Sequence, residues 1–324
     1  MALIPPHFVD SVVAIGSEDA AGEKMWIASG FLYGRVVGAD ENGQARHRVY
    51  LVTNRHVLAD NELLYLRCNP AANAPARDYP LVLHDQGRPV WFGHPDPAVD
   101  VGVVPIKIQK LRADGMQAAY FAEERDVATT EKLRSSGVSE GDHVFVLGFP
   151  MGMVGGLRNS VIVRGGVLAR VRDVFDDPQA PFLVDAFVFP GNSGGPVVSQ
   201  PEILSIVGTK APGKAYLIGI CFGSINYRDI AVSARTGRQR VLFEDNAGLA
   251  NVHSVDCVQM CIQMHLGSGP RNPPVARRKS GRPPPPSGSG QDLLSGGSPP
   301  ARVAGIEPTG SRGANRTYRP APRR

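Results

Sequence analysis

Short apolar runs, separated by clusters of Gly, Pro, Asn and Asp, recur along the first 266 residues. Their period-two alternation and β-branched content predict strands rather than helices. Residues 8–17, from Phe8, read as a first strand and Ala28–Val37 as a second. Asp40-Glu41-Asn42-Gly43-Gln44 is a turn whose Asn-Gly pair signals a hairpin, and Arg48–Thr53 returns as the partner strand. Leu63–Arg67, Leu81–His84 and Val90-Trp91-Phe92 follow, with the loop Asn69–Asp78 between the first two, and Val101–Ile108 closes this set. A connector over about 110–135 holds a helical turn at Met116–Glu124. The second set begins at His143–Gly148 and continues through Asn159–Arg164, Gly166–Val171, Phe182–Val188, Val197-Val198, Ser205-Ile206-Val207 and Tyr216–Phe222. Evenly spaced short strands of this kind predict an all-β barrel or sandwich. The last periodic segment differs: Val255, Val258 and Ile262 recur at helical spacing, predicting an amphipathic helix over about 253–265, packed on the second set.

Composition divides the chain in two. Beyond residue 267 it becomes rich in Pro, Gly, Ser and Arg, including Pro283-Pro284-Pro285-Pro286, with too few apolar residues to offset the entropy of ordering. Residues 267–324 are therefore expected to be a disordered basic tail behind a folded domain of residues 1–266. From Arg271 onward eleven Lys and Arg face only Asp292 and Glu307, a net +9. The whole chain is +5, which leaves the body at −4, so the high isoelectric point belongs to the tail. The tail reads first as a solvated end, with docking to an acidic or proline-binding partner as an alternative. A nucleic-acid tether is the least expected role. No segment has the roughly 18 apolar residues of a membrane helix, and no secretory leader is visible at the start. Cys68, Cys221, Cys257 and Cys261 are sparse for a disulfide scaffold, which suggests reduced thiols and a cytoplasmic location. Cys257 and Cys261, four apart on the predicted helix, read as core residues rather than metal ligands, and neither a metal nor an organic cofactor is expected.

The stretch with chemistry is Pro190-Gly191-Asn192-Ser193-Gly194-Gly195-Pro196. A serine in a glycine-rich turn between two apolar runs is presented to solvent at the edge of a rigid strand. The glycines allow close backbone approach, and N–H groups in such a bend can converge on a developing oxyanion. Serine alone is a poor nucleophile and needs a base held by an orienting acid. Both have candidates upstream. His56 ends the β-type run Val49–Val57, and Asp100 opens the apolar strand that continues Val101-Gly102-Val103-Val104. The rivals are His94 and Asp96, in a proline-flanked loop. The chain order is His-Asp-Ser, with gaps of 44 and 93 residues.

Thr53-Asn54-Arg55-His56-Val57, Asp100-Val101-Gly102-Val103-Val104, Gly148-Phe149-Pro150 and Asp185-Ala186 through Pro196 together resemble the trypsin-like serine peptidases, most closely the bacterial HtrA/Deg-type branch. The likeness runs over roughly residues 8–256. It implies two antiparallel Greek-key β-barrels of chymotrypsin type, one over about 8–110 and one over about 136–252, with the cleft between them. It implies a serine endopeptidase acting on protein or peptide substrates, with His56, Asp100 and Ser193 catalytic and the N–H groups of Gly191 and Ser193 forming the oxyanion hole. Family position places Phe187 at the base of the substrate pocket and Ile220, Cys221, Phe222 and Gly223 along one wall. The Cys221–Gly223 edge would take substrate backbone as an added strand. No aspartate stands at the pocket base, so small or medium apolar P1 residues are expected rather than Lys or Arg. Zymogen-type relatives carry an aspartate where Asn192 stands, to pair with a freed N-terminal amine. An amide cannot make that pair, so activation by N-terminal cleavage is not expected. Many HtrA-type proteins add a peptide-binding PDZ module, which this sequence does not show. The competing reading is a non-catalytic peptide-binding scaffold on the same fold. An esterase on another fold is disfavoured by the His-Asp-Ser order.

Overall fold

The computed structural model describes residues 3–201 and 213–267. The strand expected at Ser205–Val207 and the basic tail lie outside the described residues. Pro5 and Pro6 start a short helix, α1 (Pro6–Asp10), where Pro at the first turn loses no hydrogen bond. Phe8, read from sequence as the start of a strand, is instead buried on α1 against Phe121, ring centroids 4.6 Å apart. The first strands are β1 (Val12–Glu18), β2 (Lys24–Ala39) and β3 (Ala45–Thr53), joined through the expected turn, where Gly43 takes φ +76°. α2 (Arg55–Ala59) follows, then β4 (Leu63–Cys68), β5 (Arg77–Val82), the two-residue strands β6 (His84–Asp85), β7 (Arg88–Pro89) and β8 (Phe92–Gly93), and β9 (Gly102–Ile106). The connector holds α3 (Ile108–Ala113), β10 (Phe121–Ala122), α4 (Glu123–Asp126) and α5 (Thr130–Ser135). The helical turn expected at Met116–Glu124 does not form, because Phe121-Ala122 pairs in parallel with β2 and buries Phe121.

The second set comprises β11 (His143–Gly148), β12 (Ile162–Arg170), α6 (Arg172–Asp176), β13 (Phe182–Asp185), β14 (Pro196–Ser199), β15 (Leu217–Val232), β16 (Gln239–Ser254) and α7 (Val255–Gly267). It closes as a barrel in the order β11-β12-β13-β16-β15-β14. The first set forms a half-barrel, β5-β4-β1-β2-β3-β9-β8, with β10 alongside β2. All pairings but that of β10 are antiparallel among the named strands. This is the chymotrypsin-like double barrel the sequence predicts.

One apolar cluster joins the two sets: Phe31, Val52 and Val103 lie with Leu147, Val198 and Ile220. Each large side chain removed from water there contributes about 1.5–3 kcal/mol. α7 packs on both halves rather than on the second alone. Its Val258 and Ile262 enter the joint cluster, Cys261 Sγ lies 3.6 Å from the carbonyl oxygen of Val101, and His265 Nδ1 is 2.9 Å from the Tyr50 hydroxyl. Cys257 and Cys261 are buried core residues, and burial pushes the Cys257 thiol up to about 11 and raises that of Cys261 further. Cys68 and Cys221 are likewise buried and pushed up to about 12, so all four thiols stay protonated at neutral pH. Among the described residues no helix is long and apolar enough to cross a membrane.

Candidate active site

His56 is delivered by a turn of helix rather than by the strand end itself. β3 stops at Thr53, Asn54 takes an extended conformation (φ −76°, ψ 150°), and α2 starts at Arg55. The Asn54 amide donates to the carbonyl oxygen of Asp100 at 2.7 Å, fixing the start of β9 against the start of α2. The Asp100 carboxylate then grips His56 twice. Oδ1 accepts from the His56 backbone N–H at 2.9 Å, and Oδ2 lies 2.6 Å from the ring Nδ1. This hydrogen bond holds the imidazole pKa above its ordinary value, against the opposing effect of burial, and the charges of Asp100 and Asp60 add to it. A proton fixed on Nδ1 leaves Nε2 as the basic nitrogen, and Nε2 makes no hydrogen bond among the described residues.

Behind Asp100 stands a residue that the sequence pattern placed only at the start of the predicted helix. His253, near the end of β16, accepts a hydrogen bond through Nε2 from the Asp100 N–H at 3.1 Å. Burial depresses its pKa to about 4, so it remains neutral and can accept. Phe222 stacks on it at 4.1 Å between ring centroids, 16° from parallel. The signal was a histidine closing an apolar strand of Leu249, Ala250 and Val252. The rivals of the first reading are engaged within their own loop. His94 Nδ1 accepts from the Asp96 N–H, its carbonyl takes a hydrogen bond from Arg55, and Asp96 Oδ1 accepts from the Ala98 N–H.

The serine turn is pinned to the first half by Ser29, on β2. The Ser29 N–H donates to the Ser193 carbonyl at 2.9 Å, and its hydroxyl donates to the Gly191 carbonyl at 2.6 Å. The same hydroxyl accepts from the Phe149 N–H at 2.9 Å, while the Thr53 hydroxyl donates to the Ser29 carbonyl at 2.8 Å. Thr53 is three residues before His56, so one buried serine links the serine turn to the segment carrying the imidazole. Asn192 braces the turn from inside: its Oδ1 accepts from the Phe189 N–H, and its own N–H donates to the Phe189 carbonyl. Gly191 and Gly194 take φ +98° and +83°. A Cβ at Gly191 would fall 2.3 Å from the Phe149 carbonyl oxygen, and one at Gly194 2.1 Å from that of Ser29. Only glycine fits either place.

The N–H groups of Gly191 and Ser193 donate to nothing among the described residues, although those of Asn192, Gly194 and Gly195 are all engaged. The Ser193 side chain is half-buried, and its hydroxyl makes no hydrogen bond, to His56 or otherwise, among the described residues. Two free N–H groups flanking an accessible hydroxyl can receive the oxyanion of an acyl-transfer intermediate.

Of the expected pocket residues, Ile220 and Cys221 turn their side chains into the core, so any substrate contact there is through backbone. Phe222 and Gly223 are half-exposed, and a Cβ on Gly223 would meet open space. Phe187 is 54% exposed, and its ring faces Gly248, where an added Cβ would lie 3.5 Å away. The Asn246 amide donates to the Val188 carbonyl at 2.6 Å, tying β16 to the segment that leads from β13 into the serine turn. Gly248 and Asn246 were not anticipated, because neither stands out in sequence without the facing Phe187.

Residues 11–203 match the family model of the trypsin-like peptidase domain. The match spans more than half of the chain, and the protein belongs to that family. The matched stretch ends before β15, β16 and α7. Comparison with curated proteins finds no match.

Proposed function

We propose that the protein is a serine endopeptidase in which Ser193 is the nucleophile, His56 the general base and Asp100 its orienting partner. The single observation that carries this is the double grip of Asp100 on His56, which leaves Nε2 without a hydrogen-bond partner among the described residues. In this reading Ser193 Oγ attacks the scissile carbonyl as its proton passes to His56 Nε2. The resulting oxyanion is held by the N–H groups of Gly191 and Ser193. Collapse breaks the C–N bond, the leaving amine takes the proton from Nε2, and an acyl ester remains on Ser193. Water, deprotonated by the same nitrogen, hydrolyses that ester and restores the hydroxyl. Within the family we place the chain nearest the HtrA/Deg branch, on the Thr53–Val57, Gly148–Pro150 and Asp185–Pro196 segments. Its four unpaired, buried cysteines suit a reducing, cytoplasmic setting.

A fluorophosphonate probe is expected to label the wild-type protein and to leave Ser193→Ala unlabelled. No labelling of either would favour the non-catalytic scaffold, and equal labelling of both would place the reactive group elsewhere than Ser193. For specificity, the exposed Phe187 ring, standing at the pocket-base position in place of an aspartate, supports small or medium apolar P1 residues. Val- and Leu-P1 peptides are expected to give higher kcat/KM than Arg-P1 peptides of the same length. The reverse order would refute that preference.

A further inference from the structure

The second barrel carries an arm. β15 and β16 are each 16 residues long, and they pair with each other from Gly219↔Ser254 out to Val232↔Gln239. Their outer neighbours are much shorter. β14 pairs with β15 only over Leu217–Ile220, and β13 with β16 only over Leu249–Val252. From Ser224 to Ala247 the hairpin is thus a two-stranded ribbon with both edges unpaired among the described residues. Such ribbons are marginal in water, and exposed edges invite a further strand. The arm also shows apolar side chains on both faces: Tyr227 (61% exposed) and Phe243 (53%) on one, Ile230 (49%) and Leu242 (47%) on the other. Its end is basic. Arg235, Arg238 and Arg240 lie in a stretch with no acid between Ile230 and Phe243, and none of the three forms an ion pair among the described residues.

The free edge of β15 begins at the serine turn. The Gly194 N–H donates to the Cys221 carbonyl at 2.8 Å, and the Cys221 N–H to the Gly195 carbonyl at 2.9 Å. Beyond Cys221 the same edge runs outward without a strand partner among the described residues. Every pairing of the closed barrel is antiparallel, so a strand added here runs against β15, with its C-terminal end at Ser193 and its upstream residues along the arm.

We infer that the arm is an extended substrate platform: polypeptide upstream of the scissile bond adds as a third strand along β15, apolar residues over Tyr227–Val232 and acidic residues at the arginine tip. This rests on the peptidase reading and reaches well past the Cys221–Gly223 edge. At about 3.3 Å per residue, Gly223 to Val232 accommodates about nine upstream substrate residues. The chain's own tail is a poor occupant, because it is as basic as the tip.

The test compares a short fluorogenic peptide, ending three residues upstream of the cleavage point, with one extended by nine residues of alternating apolar and polar type that begin with Asp-Glu. The readout is the ratio of kcat/KM, long over short, in which any general change of activity cancels. Backbone pairing plus apolar contact is expected to give wild-type protein a ratio of about 10 or more. Shortening the arm by replacing residues 227–244 with a Gly-Asn-Gly turn should bring the ratio to about 1. The triple change Arg235→Glu, Arg238→Glu and Arg240→Glu, confined to exposed side chains, should reverse the preference between Asp-Glu and Lys-Lys leaders. N-methylation of alternate upstream residues should lower the ratio with a period of two. A ratio near 1 in wild-type protein that cleaves the short peptide overturns the platform. So does a dimer that dissolves on shortening the arm while the ratio stays unchanged, since a second copy would then be the occupant. No cleavage of either peptide, with no probe labelling, strikes at the peptidase reading instead.

Discussion

Asp100→Asn is expected to fold normally and to lose about 10⁴-fold in kcat. The carboxylate does two things that an amide cannot reproduce together. It accepts from the His56 backbone N–H at 2.9 Å while holding the ring Nδ1 at 2.6 Å. An amide turned to accept from the backbone presents its NH₂ to Nδ1. That stabilises the tautomer with the proton on Nε2, where it cannot take the Ser193 proton. The pH profile gives an independent readout. Asp100 raises the His56 pKa, and catalysis requires the neutral ring, so wild-type kcat/KM should rise with pH through that raised value. In the asparagine variant the residual activity should titrate at lower pH, because the ion-pair partner is gone. An unchanged pH midpoint would mean that a different group sets the profile.

Gly194→Ala should be the most damaging single methyl in the site. The residue sits at φ +83°, and the new Cβ would lie 2.1 Å from the Ser29 carbonyl oxygen and 2.3 Å from the Thr53 hydroxyl oxygen. Neither neighbour can move freely, since Thr53 bonds Ser29 and Ser29 bonds both Ser193 and Gly191. Strain at such a dihedral costs on the order of 1–3 kcal/mol, and breaking the buried hydrogen bonds around Ser29 adds about 1–3 kcal/mol for each group left unpaired. Denaturant titration should therefore register a loss of several kcal/mol, about 3 or more, with peptidase activity abolished. Gly141→Ala provides the control, because Gly141 has a similar φ of +95° and open space around it. It should show the dihedral cost alone. Equal effects at the two positions would mean that the packing around Ser29 is not what holds the turn.

Much of this arrangement could be read from residue order. β11 and β14 fall where apolar runs placed them, because barrel strands with one face in the core keep a strong signature. The His-Asp-Ser order and the glycine turn single out His56, Asp100 and Ser193. What escaped the reading has physical causes. Sequence puts two strands, Asn159–Arg164 and Gly166–Val171, on either side of Gly165, yet β12 runs straight through both glycines. A Cβ at Gly166 would lie 2.5 Å from the Asp185 carbonyl oxygen, so the glycine is there for close strand approach. The arm escaped the reading because both of its faces meet solvent and each mixes apolar with charged residues, Tyr227 and Phe243 with Asp229 and Asp245 on one, Ile230 and Leu242 with Arg228 and Glu244 on the other. Ser29 and His253 act through long-range contacts, at 162 and 153 residues' separation, that no local pattern encodes. His56 falls on a helical turn rather than at a strand end, because Asn54 binds the Asp100 carbonyl and redirects the chain.

The central claim is that the hydroxyl of Ser193 is activated by the imidazole of His56. Mass spectrometry of the protein after brief exposure to a fluorophosphonate measures this directly. The account predicts a single adduct on Ser193, formed at least about 10³-fold more slowly in His56→Ala. An adduct on another residue, or one on Ser193 that forms equally fast without the imidazole, would contradict it.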